Sequence, residues 1–393
     1  MKKVIYHFRT RGTGPEGVHI AGIAEGFEEA GYEVSFASPT GRDPRQFRGS
    51  NPFKQSRESL VQRLSRYAPQ VVFECGEIAY NRSAIQQMQA AMQGCDWIYE
   101  RYAFFCHAAQ SVAERFKKPY ALEVNELAGD ERVRKQVLTK RCRENERRIL
   151  LGAKAVFPVS QYLADRIAEI GVMPERIHVV PNGVDAQQFF GRELEPREHL
   201  RARYGLQAGD RAYGFVGWFV PWHELDRLLS AFAQSFAGQL DRKLVLAGDG
   251  PLREALLEQA QALGIQQQLL LPGAIDYADI PSFLSALDVG IVPAVNAFRS
   301  PIKLFEYMGA GLPIVASRVE AVQSVLPDMQ SAFLFDQTEI ADLVRALQAV
   351  DACDAEVVGR ENRALCQQQY TYQKHAQTIC QVMEADSRIS EMG

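Results

Sequence analysis

At 393 residues the chain has room for two domains of ~100–200 residues each. Hydrophobic residues make up 47% and charged residues 23%, a globular mix that excludes collagen-like and disordered chains. No apolar run approaches the ~18 residues that a membrane-spanning helix needs. The opening MKKVIYHF reads as a first β-strand rather than a signal peptide, because His7 and Arg9 break its short apolar stretch. The seven cysteines are scattered, with no CxxC pair, and read as reduced thiols of a cytosolic protein without a disulfide framework or zinc site.

The net charge of −4 conceals an asymmetry. Residues 1–180 carry 27 basic and 21 acidic side chains, and residues 181–393 carry 17 and 27. The basic excess lies at 42–66 and 131–148. It is either a solvated helical surface or a face that attracts anionic headgroups. Nucleic acid is not expected as a partner, given a pI of about 6.1 and no recognisable binding module.

Short apolar stretches alternate with amphipathic ones from the start. VIYHF (4–8), EVSFAS (33–38), QVVFEC (70–75), WIYERY (97–102), YALEVN (120–125), AVFPVS (155–160) and IHVVPN (177–182) read as strands, with a first helix over 17–31. After PNGVD (181–185) a second series begins. AYGFVG (212–217), KLVLAGDG (243–250), LLLPGAI (269–275), VGIVPA (289–294) and PIVAS (313–317) read as strands, with helices near 224–237 and 251–263. This alternation predicts an α/β chain of two doubly wound Rossmann-like domains, 1–182 and 183–369. A last amphipathic helix over 370–393 joins the first domain.

RGTGPEGVH (11–19) follows the first strand. Its Gly14 and Gly17 suit either a ligand-facing loop, with backbone N–H groups near an anion, or a plain surface loop. The stretch 289–317 is richer. Ser300 suits an N-cap and Pro301 the first helical position, leaving the amides of Arg299, Ser300, Ile302 and Lys303 beside the Lys303 cation. That arrangement suits a diphosphate. Glu306 falls one turn later, and a carboxylate there suits sugar hydroxyls, which donate.

The order PNGVD, GFVG, LAGDGPL, LLLPGAI, DVGIVPA and SPIKLFEYMGAGLPIVAS resembles the family 4 retaining glycosyltransferases of the GT-B fold, over nearly the whole chain. The resemblance implies two Rossmann-like domains facing across a cleft, the first for the acceptor and the second for a nucleotide-sugar. It implies transfer of a hexose or N-acetylhexosamine from a UDP- or GDP-sugar to a hydroxyl of a sugar, lipid-linked or protein acceptor. Cell-envelope polysaccharide, glycolipid or glycoconjugate synthesis is the implied setting, in the cytoplasm or peripherally on the inner face of the membrane.

By the same resemblance, Glu306 holds the donor ribose as the second glutamate of E-x7-E, and Gly248 belongs to a glycine-rich turn. Gly273, Ala274 and Ile275 read the nucleobase edge, and Asn125 stands where many members have a histidine near the donor sugar. Ser160, Asn182, Gly183 and Asp185 shape the interdomain side. Phe298 replaces the first glutamate, Trp218 after Gly217 replaces an arginine, and His223 takes a lysine's place. A branch with PWH, SPxKLFEY and ExN motifs carries such substitutions together. Charge on the leaving diphosphate then falls to Lys303, His223 and backbone amides, with Asn125, His223, Lys303 and Glu306 as the catalytic set. No metal or other cofactor is required, since no DxD or His/Cys ligand spacing is found. The alternatives are a non-catalytic GT-B partner subunit and a sugar-nucleotide epimerase or phosphorylase on the same fold.

Overall fold

The computed structural model describes residues 2–10, 12, 14–47, 69–130, 136–326 and 332–385. The chain divides into two compact units. One holds 1–181, 298–300 and 372–393, and the other holds 182–297 and 301–371.

Unit 1 is built on a five-stranded parallel sheet, in the order β2-β1-β3-β4-β5. Its strands are β1 (Lys2–His7), β2 (Tyr32–Ala37), β3 (Trp97–Arg101), β4 (Tyr120–Val124) and β5 (Ala155–Pro158). Val4 sits opposite Val34 on one side and Trp97 on the other, so β1 is central and its apolar run is buried on both faces. The strand order reverses between β1 and β3. The helix Tyr372–Ala385 packs on the helix Gly14–Glu29, where a Cβ at Gly22 would lie 2.3 Å from the Tyr372 ring.

Two readings of unit 1 need correction. QVVFEC opens the helix Gln70–Ala91 instead of forming a strand. Glu74, Asn81, Ala84 and Met88 are buried at spacings of seven, three and four, whereas Val71 and Val72 are exposed, so a helical period overrides the β-branched pair. IHVVPN is no strand. It runs beside β5 through one bridge, Val156 to Ile177, and through Val180 N–H donating to the Pro158 carbonyl at 2.9 Å. Pro158 has no N–H to return that bond. Of the basic stretch 42–66, residues 48–66 lie outside the described residues, as do 131–135 of the other.

Unit 2 carries a six-stranded parallel sheet, in the order β11-β10-β9-β6-β7-β8. The strands are β6 (Arg211–Val216), β7 (Arg242–Ala247), β8 (Leu269–Gly273), β9 (Val289–Val292), β10 (Ile314–Ser317) and β11 (Ala332–Phe335). Here the reversal falls between β6 and β9. Two core clusters line the faces, one around Phe215, Phe232 and Leu246 and one around Phe283, Phe305 and Tyr307.

Candidate active site

Open parallel sheets bind ligands beyond the carboxyl ends of their strands, where the strand order reverses. In unit 2 that point is flanked by the loop after β6 and by the loop and helix after β9. The first contributes Gly217, Trp218 and the single turn Pro221–His223. The second leads to the helix Ile302–Ala310.

The β6 loop is locked to the loop after β7 by backbone contacts. Gly217 N–H donates to the Ala247 carbonyl at 3.0 Å, Phe219 N–H to Asp249 at 2.7 Å, and Gly248 N–H to Gly273 at 2.8 Å. A Cβ at Gly248 would lie 1.9 Å from the Gly217 carbonyl oxygen, so this glycine permits one backbone to lie on another. Gly273 ends β8, and Ile275 packs against the second core cluster.

The helix after β9 starts one residue later than the sequence suggests. Pro301 is its N-cap, with no side-chain cap bond, and Ile302 is the first helical residue. Phe298, Arg299 and Ser300 group with unit 1, where the Phe298 ring is buried in the core and its carbonyl accepts from Ser160 Oγ at 3.0 Å. The expected set of four amides is therefore divided, and only those of Ile302 and Lys303 belong to unit 2. Burial of Phe298 among apolar side chains is the physical reason.

Lys303 and Glu306 sit one turn apart on this helix. The Lys303 ammonium lies 4.1 Å from the centre of the Phe215 ring, a cation–π contact, and the His223 ring meets the same phenyl edge-on at 5.2 Å. Gly217 leaves room here, since a Cβ would lie 3.2 Å from the ammonium. Unit 2 thus brings Lys303, His223 and Gly217 together around Phe215, with Glu306 one helical turn on from Lys303. The sequence reading missed Phe215, although Tyr213 and Phe215 alternate in β6 as inward-facing residues do.

Glu306 is 7% exposed, and among the described residues its carboxylate accepts no hydrogen bond. Burial pushes the Lys303 ammonium down to about 7, with the Glu306 charge opposing that shift. Burial pushes the Glu306 carboxyl up to about 7, against the pull of Lys303. Both head groups are thus poorly solvated, and an anion beside one and hydroxyls beside the other would relieve that cost.

Tyr307 anchors the helix. Its hydroxyl accepts from Val216 N–H at 3.0 Å, at the very end of β6, and Gly290 makes room for its ring. Tyr307→Phe leaves that buried N–H without its acceptor, so unfolding in urea should come at lower concentration, by about 1–3 kcal/mol with an unchanged slope. An unaltered midpoint would show that the bond contributes nothing to the anchoring.

The other expected residues lie in unit 1. Gly14 opens the first helix, and a Cβ at Gly17 would lie 2.2 Å from the Gly12 carbonyl, so the glycine-rich turn closes on itself. Arg299 places its guanidinium 5.5 Å from the Phe298 ring centre. Ser160 caps the helix Gln161–Ile170, and in unit 2 Asp185 caps Ala186–Phe190, so both side chains have local work. Asn125, just past β4, is half-buried and donates from Nδ2 to Glu123 Oε1 at 2.9 Å. Among the described residues, one trio has metal-ligating chemistry at close range: His7, Glu100 and Cys106 of unit 1, all buried. Glu100 Oε2 already receives His7 Nδ1 at 2.6 Å and Ala109 N–H at 3.2 Å. His7 lies 93 residues before Glu100, so a search for closely spaced ligands passes over the trio.

Residues 196–369 match the protein-family model described as Glycosyl transferases group 1, and residues 17–188 match the one described as Glycosyltransferase Family 4. Both halves of the chain carry glycosyltransferase family domains. The chain is 28% identical over 184 residues to 2-deoxystreptamine glucosyltransferase of Streptomyces kanamyceticus, covering 47% of each protein. It is 26% identical over 188 residues to alpha-monoglucosyldiacylglycerol synthase of Streptococcus pneumoniae, covering 47% of this chain and 42% of that one. The match thus spans less than half the length of these curated relatives. Among solved structures, HepE of Anabaena in complex with UDP superposes with a TM-score of 0.71 at 16% identity, over 98% of this chain and 100% of that one. That likeness is one of fold, and it assigns the glycosyltransferase domains to the GT-B fold class.

Proposed function

We propose that this chain is a retaining glycosyltransferase that moves a hexose or N-acetylhexosamine from a UDP- or GDP-sugar to an acceptor hydroxyl. The observation that carries the reading is the Lys303–Glu306 pair at the switch point of unit 2, its acid buried and its cation half-buried on the Phe215 ring. The cation and the helix amides suit a diphosphate, and the acid one turn on suits ribose hydroxyls. The solved relative is described in complex with UDP, which supports a nucleotide donor.

Departure of a nucleoside diphosphate builds negative charge, and stabilising it is the main catalytic demand. Lys303 and His223 supply that stabilisation in this reading, without a metal ion. For retention, the resemblance favours front-face attack, in which a leaving phosphate oxygen takes the acceptor's proton.

A lipid-linked acceptor fits one relative, whose name describes a diacylglycerol product. Among the described residues, no helix is long and apolar enough to cross a membrane. The helix Thr139–Gly152 does expose Lys140, Arg141, Arg143, Arg147 and Arg148, a surface suited to peripheral contact with anionic lipid. A second reading, favoured by Phe298 in a glutamate's place, is a partner subunit that binds nucleotide-sugar without turnover.

Thermal shift against UDP, GDP, ADP and their sugars separates these readings. A ligand at 100 times its dissociation constant should stabilise the chain by about 2.7 kcal/mol, raising the melting temperature by several degrees. The transferase reading expects a shift with UDP or GDP, release of that nucleotide on addition of acceptor, and retained anomeric configuration by NMR. A shift with no turnover favours the partner subunit. No shift with any nucleotide defeats the donor site itself.

A further inference from the structure

The carboxyl ends of β1 and β3, where the order of unit 1's sheet reverses, bring three ligating side chains together. His7 ends β1 and pairs with Glu100 of β3, and Cys106 lies on the loop that follows. Their donor atoms all lie within 4.8 Å of one another, and each residue is at most 1% exposed. His7 Nδ1 stands 2.6 Å and Cys106 Sγ 3.6 Å from Glu100 Oε2, which also accepts Ala109 N–H at 3.2 Å.

The loop that carries Cys106 is clamped in place. Phe105 sits at φ +62°, in the left-handed region that a bulky side chain rarely adopts. Buried Asn81 spans the thiol, donating to the Phe105 carbonyl at 2.9 Å and accepting from His107 N–H at 2.7 Å. Arg9 donates to the Phe104 carbonyl at 2.6 Å, and Asn145 to that of Cys106 at 2.9 Å.

Hydrogen bonding alone does not account for the trio. Three donors meet on Oε2, and a carboxylate oxygen offers them about two lone-pair sites. Apolar side chains of similar volume would also pack there at equal or lower cost. A divalent cation answers both points. One thiolate and one carboxylate cancel its charge, so the buried site is neutral, and thiolate with imidazole selects zinc over calcium or magnesium. Tetrahedral bonds of ~2.0–2.3 Å set sulfur and carboxylate oxygen about 3.5 Å apart, close to the 3.6 Å seen here. The nitrogen–oxygen edge is about 3.3 Å in that geometry, so His7 and Glu100 part by about 0.7 Å. With Nδ1 on the metal, the ring proton sits on Nε2, where the Tyr80 oxygen lies 3.3 Å away to accept it. The thiol proton leaves to solvent.

We propose that His7, Glu100 and Cys106 form a zinc site in unit 1, with the fourth position left to water. Its role is to pin the loop after β3 to the ends of β1 and β3. The site belongs to unit 1 alone and goes beyond the transferase reading, which neither needs it nor fails with it.

The test frees the full chain of metal with a chelator, incubates it with zinc chloride and desalts it. Elemental analysis should then find about one zinc per chain, with a melting temperature several degrees higher. Cobalt(II) in its place should give a thiolate-to-metal charge-transfer band in the near ultraviolet. Cys106→Ala abolishes that band. Like His7→Gln, it weakens zinc binding by more than the about 10- to 100-fold that loss of an outer partner costs, and Tyr80→Phe costs about tenfold. Cys75→Ala, which removes an exposed thiol of the same unit, changes neither zinc binding nor the band.

Should Cys106→Ala fail to fold, Cys106→Ser keeps the volume and still removes the band. Failure of the wild type to retain zinc overturns the proposal. So does zinc retained equally by wild type and the Cys106 variant, or a cobalt band that disappears with Cys75. Thermal shift with UDP and GDP on the same samples reports the donor reading separately, and its failure leaves the zinc site standing.

Discussion

Lys303→Ala weakens nucleotide-sugar binding by about 1.5–3 kcal/mol, or roughly 10- to 150-fold, the range of a charge-assisted hydrogen bond to phosphate. The ammonium rests on the Phe215 ring, and burial has brought it down to about 7. An incoming diphosphate restores its preference for the proton. Binding therefore takes up a proton above about pH 7, and affinity falls as pH rises from there. Glu306 works in the opposite sense. Its carboxyl is pushed up to about 7, and ribose hydroxyls need it ionised, so affinity also falls as pH drops below that point. Titration of a UDP-sugar, whose phosphates do not ionise near neutrality, should give a maximum near pH 7. Lys303→Ala removes the alkaline limb, and Glu306→Gln removes the acid limb. A flat profile, or unchanged affinity in both variants, takes the diphosphate and ribose away from this helix.

The same residue carries a stability signature of opposite sign. A lysine whose folded-state value lies near 7 instead of 10.5 penalises folding fully below about pH 7, and the penalty fades between 7 and 10.5. Lys303→Met, which keeps the bulk and drops the charge, should thus raise the melting temperature of the ligand-free chain at pH 6 and scarcely alter it at pH 10. Loss of affinity together with gain of stability is the mark of a group held against its own solvation for a ligand's sake.

Much of this was legible in the sequence because two periods repeat. Alternating strands and helices, with glycine or proline at their ends, predicted ten of the eleven strands among the described residues, and the Ser-Pro-x-Lys-x-x-Glu spacing placed a cation and an acid one turn apart. What escaped depended on long-range packing. Val71 and Val72 are β-branched and adjacent, so local preference pointed to a strand, and only burial of Glu74, Asn81, Ala84 and Met88 shows the helix. Ser300 had the right chemistry for a cap, but Phe298 is drawn into the unit 1 core and the helix begins after Pro301. Phe215 lies within GFVG, a motif that gives its ring no role. Its importance lies in Lys303 and His223, which reach it from other parts of the chain, and spacing along the chain does not record that.

Gly248→Ala should be among the most disruptive single-methyl additions in unit 2. Its φ is +144°, which side chains rarely adopt, and the added Cβ would fall 1.9 Å from the Gly217 carbonyl oxygen. No rotamer change relieves a clash between two backbones, so the loops after β6 and β7 must part. That endangers the Gly248 to Gly273 and Gly217 to Ala247 bonds together. Strain and overpacking together should cost about 2–5 kcal/mol. Because the displaced loop carries Trp218 and His223, nucleotide affinity should fall as well, even in the fraction that folds. Gly238 supplies the control: its φ is +81°, but a Cβ there would meet nothing within 4 Å. Gly238→Ala should therefore cost only the left-handed backbone, about 1 kcal/mol, and leave nucleotide binding intact. Urea unfolding and calorimetry of the two variants side by side separate crowding from backbone conformation. If both variants lose the same stability and both still bind nucleotide, the interlocked glycine loops do not set the geometry of the β6 loop, and its support must come from Tyr307 and the helix behind it.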